Sequence, residues 1–109
     1  MSTVTIQERQ SRGRESLLRA VSLVRLALSD YARQRGGRFI IFGSVTRDQA
    51  RYDSDLDIAV DFPAPLEAAA WFVAEQLCIV HGITPDIHAL DDLRSEVRER
   101  ALREGDVVQ

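Results

Sequence analysis

Residues 55–62, DLDIAVDF, constrain this chain more than any other stretch. Side chains alternate along a β-strand, so Leu56, Ile58, Val60 and Phe62 share an apolar face. Asp55, Asp57, Ala59 and Asp61 fall on the other. Such a strand needs a sheet with one face covered, and the covering elements must come from the flanking sequence. Neighbouring carboxylates on the second face repel each other and gain nothing from packing. Either water solvates them at a strand edge, or a cation sits between them.

The flanking sequence supplies the cover. From Arg14 to about Gln34, Leu17, Val21, Val24, Leu28 and Tyr31 recur at helical spacing, and Gly36-Gly37 ends that helix. RFIIF (38–42) reads as a buried strand, and Thr46–Ala50 as a short helix. Pro63 and Pro65 stop the acidic strand; residues 65–81 form the next helix, closed by Gly82. TPDIHAL (84–90) predicts a third strand, with Asp86 and His88 on one face. Asp91 or Asp92 is expected to cap a last helix running to about Glu104. Glu15–Arg19, Glu96–Arg100 and Glu99–Arg103 are spaced for i,i+4 pairs, and Val107-Val108 for a short edge strand. The order α-β-α-β-α-β-α predicts an α/β (α+β) fold, a small mixed sheet with helices packed on it.

Length and charge narrow the classes. A chain of 109 residues suits one domain with a single modest core, expected over residues 13–109 behind a flexible polar lead-in, 1–12. No apolar run is long enough to span a bilayer, and no secretory leader is recognisable. Cys78 is the sole cysteine, which excludes an intrachain disulfide and fits a cytoplasmic setting. Residues 1–51 hold ten Arg against four acids, a balance of +6, whereas 52–109 hold four Arg against thirteen acids, −9. The N-terminal arginines Arg9, Arg12, Arg14 and Arg19 form a solvated face, or one that steers an acidic partner or touches RNA held by one, with no sequence-specific nucleic-acid binding expected of the chain itself. Every basic residue is Arg, so no Lys is available for Schiff-base or P-loop chemistry. Trp71, Phe72 and Ile79 leave helix 65–81 apolar almost all round, a pattern of deep burial or of cover by another protein.

If strands 55–62 and 84–90 are neighbours, Asp55, Asp57 and Asp86 converge at one sheet edge. Hard oxygen ligands of this kind suit Mg²⁺, and two such ions can clamp the attacking and leaving oxygens of a phosphoryl displacement. Gly43 lets the backbone approach a phosphate closely, and Ser44 offers an N–H and a hydroxyl beside it. Arg47 is a further candidate phosphate contact. Taken singly, these acids also read as turn-formers, His88 as a structural histidine, His81 as a helix-end cap and Cys78 as core.

The pattern G-S-x10-D-x-D, Gly43-Ser44 and then Asp55-Leu56-Asp57, resembles the signature of the DNA polymerase β-like nucleotidyltransferases. The preceding Ile40-Ile41-Phe42, Ser54-Asp55-Leu56-Asp57-Ile58, Asp86-Ile87 and the terminal Leu102-Arg103-Glu104-Gly105 resemble the minimal nucleotidyltransferase (MNT) branch in particular. The resemblance implies that fold, with Mg²⁺ as cofactor and ATP as nucleotide donor. It implies Asp55 and Asp57 as metal ligands, Asp86 completing a second metal site and assisting deprotonation, and Gly43 and Ser44 on the β- and γ-phosphates. It further implies an antitoxin that transfers AMP to a tyrosine hydroxyl of a HEPN-domain toxin. Asp48, where the family usually carries Gly, departs from the pattern. Two other readings stand beside this one: an antitoxin that neutralises by binding alone, and a nucleotidyltransferase acting on a small molecule.

Overall fold

The structure is a computed structural model describing residues 5–46, 50–51 and 54–109. Helix α1 spans Ile6–Arg35, strand β1 Arg38–Phe42, β2 Leu56–Asp61, helix α2 Ala64–Val80, β3 Pro85–Ala89, α3 Ser95–Glu104 and β4 Asp106–Val108. The four strands lie in the order β3-β2-β1-β4. β1 is antiparallel to both β2 and β4, while β2 and β3 run parallel, joined by α2. This is the expected mixed α+β architecture.

The two faces of the sheet differ. On one, Phe39, Ile41, Leu56, Ile58, Val60 and Ile87 meet Leu17, Val21, Val24, Leu28 and Ala32 of α1 and Ala70, Ala74 and Cys78 of α2. The three small residues of α2 let that helix pack close to the sheet, and its bulkier Phe72, Ile79 and Val80 are left exposed. Tyr31 is only partly buried, with its ring 6.2 Å from Phe39 and 6.0 Å from Phe62. On the other face a smaller cluster, Ile40, Ala59, Leu90 and Ala101, seats α3 over β1. Ala59 is the one position of the expected polar face of β2 that is buried, because α3 and Leu90 cover it.

Three local expectations are corrected. The first helix begins at Ile6, not near Arg14, because Thr5 and Glu8 close a capping box ahead of the apolar stripe. Residues 6–12, read as part of a polar lead-in, therefore belong to α1. Asp91 and Asp92 do not cap the last helix: Leu90–Asp92 forms a separate 3-10 turn, and α3 starts only at Ser95 after Leu90 and Leu93 have joined the second cluster. The i,i+4 pairs Glu15–Arg19, Glu96–Arg100 and Glu99–Arg103 do not close, and Arg103 lies 3.6 Å from Glu104 instead. Exposed pairs of this kind contribute little, so nothing holds them in one geometry. Longer-range pairs do form: Arg25 grips Asp106 through Nε (2.5 Å) and Nη2 (2.9 Å), tying α1 to β4, and Arg38 reaches Asp61 at 2.6 Å. Among the described residues no helix is long and apolar enough to cross a membrane.

Two leucines on α1 separate core from surface. Leu28 is fully buried, so Leu28→Ala is expected to cost about 3 kcal/mol in urea unfolding. Leu26 is 65% exposed, and Leu26→Ala is expected to change stability by less than about 0.5 kcal/mol.

Candidate active site

The site is built where three strands end together. Pairing of β2 with β3 sets Asp57 directly opposite Asp86 and Ala59 opposite His88; pairing with β1 sets Asp57 opposite Phe42. All four side chains beside Ala59 therefore stand on the α3 face, at the edge of the smaller cluster. One ligand atom each from Asp57, Asp86 and His88 lies within 4.8 Å of the others. His88 Nε2 is 3.1 Å from Asp86 Oδ1, and its ring lies 6.2 Å from that of Phe42. The imidazole thus holds the Asp86 carboxylate.

Asp55 is placed differently from the other two acids. β2 pairing begins at Leu56, whose N–H donates to the Thr84 carbonyl at 2.9 Å, so Asp55 lies just outside the ladder and is exposed. Its carboxylate is not one of the group gathered within 4.8 Å, although its charge still acts on Asp57. The expected convergence of three acids is therefore a close pair, Asp57 and Asp86, with Asp55 at the entrance. His88 takes the third place. The sequence signal for it is the D-x-H spacing on β3, which puts both side chains on one face.

The turn after β1 completes the arrangement. Gly43–Val45 form a single 3-10 turn, and Thr46 Oγ1 donates to the Gly43 carbonyl at 3.0 Å. Gly43 has φ of +83°, and a Cβ there would collide with Asp57 Oδ2. Only glycine combines that backbone conformation with so close an approach to the carboxylate. Ser44 stands in the same turn, partly buried. Arg47, Asp48 and most of the short helix expected over Thr46–Ala50 lie outside the described residues. Beside the turn is a cleft of ≈ 210 Å³, lined by Phe42, Gly43, Thr46 and Asp57 on one side and by α3 on the other. Ligand pockets usually start near 300 Å³, so this cleft has room for part of a nucleotide, the remainder staying open to water.

Electrostatics mark Asp57 as the centre. Burial pushes its carboxyl up to about 6; a hydrogen bond with Asp86 and the charge of Asp86 add to this, His88 opposes it, and Asp55 contributes least. With its carboxyl raised by burial and by the neighbouring Asp86, Asp57 lies in a site in deficit of positive charge. Their oxygens fit a hard divalent cation, and His88 suits the orienting role better than direct ligation of such an ion.

A mixed sheet with a glycine turn set against one of two in-register carboxylates is the plan of a nucleotidyl-transfer site. A family model described as the nucleotidyltransferase domain matches residues 21–108. A solved structure described as a candidate minimal nucleotidyltransferase is 33% identical, with a TM-score of 0.62, covering 82% of this chain and 93% of that one. No curated protein matches the chain. The chain belongs to the nucleotidyltransferase-domain family, and within it to the minimal branch of the polymerase β-like superfamily.

Two outcomes follow from the charge deficit and the close turn. The raised carboxyl of Asp57 contributes stability below the ordinary carboxylate range, and that contribution is lost as pH rises through about 6. Without divalent ions, Asp57→Asn should therefore melt higher than the wild type at pH 7.5 and alike at pH 4; adding Mg²⁺ at pH 7.5 should raise the wild-type midpoint alone. Gly43→Ala should lose at least about 1 kcal/mol in urea unfolding, from strain at positive φ and displacement of Asp57, together with the Mg²⁺-induced rise.

Proposed function

We propose that this chain is a Mg²⁺-dependent adenylyltransferase that transfers AMP from ATP to a hydroxyl, a tyrosine side chain, of a HEPN-domain toxin and so neutralises it in the cytoplasm. The observation that carries the nucleotidyl-transfer part is the in-register pair Asp57 and Asp86 beside the Gly43 turn. Metal-ligand roles are assigned to Asp57 and Asp86, with Asp55, already at the entrance, swinging inward as the third carboxylate.

Asp57 and Asp86 would hold the Mg²⁺, which when bound would supply charge neutralisation for the triphosphate and acidify the incoming hydroxyl. The residues of the chain do the rest by position. Asp86, held by His88, takes the hydroxyl proton and releases it to solvent. The hydroxyl oxygen forms its bond to the α-phosphorus as the bond from that phosphorus to the bridging oxygen breaks, and pyrophosphate leaves. Gly43 and Ser44 bind the departing phosphates through backbone N–H groups and the serine hydroxyl, with Arg47 as a further contact. In-line positioning and charge neutralisation account for catalysis of this type.

Exposed apolar side chains support a protein acceptor. Phe72, Ile79 and Val80 on α2, and Leu23 and Leu26 on α1, are large hydrophobics left in water, as expected of helices that another protein covers.

Incubation of the chain with MgATP and the protein encoded beside it tests the proposal by intact mass. The partner should gain AMP on tyrosine, and Asp57→Asn or Asp86→Asn should lower the rate at least about a hundredfold. Neutralisation of the partner by wild type and variants alike, with no added mass, would instead establish a binding-only antitoxin.

A further inference from the structure

The wall of the cleft opposite the Gly43 turn is α3, which contributes Val97, Arg100, Ala101 and Glu104. These positions are spaced i, i+3, i+4 and i+7, one face of a helix, so Arg100 belongs to the stripe turned toward the cleft. Ala101 within that stripe is buried against Ile40 and Ala59, which fixes the helix in this rotation. Among the described residues Arg100 is the sole cation lining the cleft. It forms no pair with Glu96, and the neighbouring Glu104 is engaged by Arg103 at 3.6 Å; among the described residues Arg100 has no ion-pair partner.

Charge balance gives that guanidinium a task. A nucleoside triphosphate is highly anionic, and the cleft that would receive it already contains Asp57 and Glu104. Divalent ions held by Asp57 and Asp86 would offset charge beside that pair. The distal phosphates, directed toward Gly43, call for cations from the protein; Arg47, just past the turn in sequence, is one candidate, and no lysine exists in the chain to supply another. A guanidinium presents a planar fork of donors that matches phosphate oxygens, and its charge cannot be titrated away. Resting on the nucleotidyl-transfer reading above, we infer that Arg100 is a phosphate-binding residue. It closes on the β- and γ-phosphates from the α3 side and makes the site selective for triphosphates over monophosphates.

The test is calorimetric titration of the full chain with MgATP and, separately, with AMP plus Mg²⁺. R100A should weaken MgATP binding about tenfold to a hundredfold, the loss of a charge-assisted hydrogen-bond pair, and leave AMP affinity unchanged. R100K, which keeps the charge without the fork, should fall between wild type and R100A. R94A, at the start of α3 and away from the cleft, should bind MgATP as the wild type does. Thermal midpoints without nucleotide should be equal, since Arg100 makes no ion pair that its loss would break. Equal MgATP affinity in wild type, R100A and R100K overturns the role of Arg100 alone. Equal loss in R94A reduces the effect to general charge and also overturns it. Failure of the wild type to bind MgATP overturns the nucleotidyl-transfer reading itself.

Discussion

The parallel pairing of β2 with β3 is the constraint on which the rest of the structure depends. It puts Asp57 and Asp86 side by side on a half-buried face, where burial and the neighbouring Asp86 both disfavour ionisation of Asp57. A fold does not gain stability from such a pair. The arrangement leaves a site in deficit of positive charge, with the Gly43 turn set directly against it. Gly43 approaches Asp57 so closely that no other residue fits, which couples the geometry of the turn to that of the carboxylate.

Stability is generated elsewhere. The large cluster between the sheet and helices α1 and α2 contains the bulkiest buried side chains, among them Phe39, Leu28, Ile41, Leu56 and Ile58. The α3 face has only four buried residues, three of them small or at its margin, and so can accommodate an acidic edge and a cleft. Cys78 lies within the large cluster; burial pushes its thiol up to about 11, which leaves it unreactive and structural. Arg25–Asp106 ties the edge strand β4 to α1, and Arg38–Asp61 links β1 to β2 at the end away from the acidic pair.

Much of this was legible in the residues. Alternation in 55–62 announced one apolar and one acidic face, and the spacing of Leu17, Val21, Val24 and Leu28 announced the covering helix. The motif G-S-x10-D-x-D and the later Asp86 pointed to a site that the fold does draw together in Asp57 and Asp86. What escaped was local. The N-terminal cap at Thr5 lies among polar residues that carry no apolar stripe, so periodicity alone missed the first turns of α1. The delayed start of α3 follows from tertiary anchoring of Leu90 and Leu93, which no local cap signal reports.

Sequence by itself determined which side chains share a face, because the periods of strand and helix are properties of the backbone. It also determined that residue 43 can turn sharply, since glycine alone adopts positive φ without a steric cost. Only the tertiary structure decided which acids meet. Register between β2 and β3 is set by packing of Ile58 and Ile87 into the large core, and that register brings Asp57 to Asp86 while leaving Asp55 one step outside the ladder. The same holds for His88 and Arg100. Their identities were plain in the chain, but their places beside the carboxylates came from strands and a helix joined by long-range contacts.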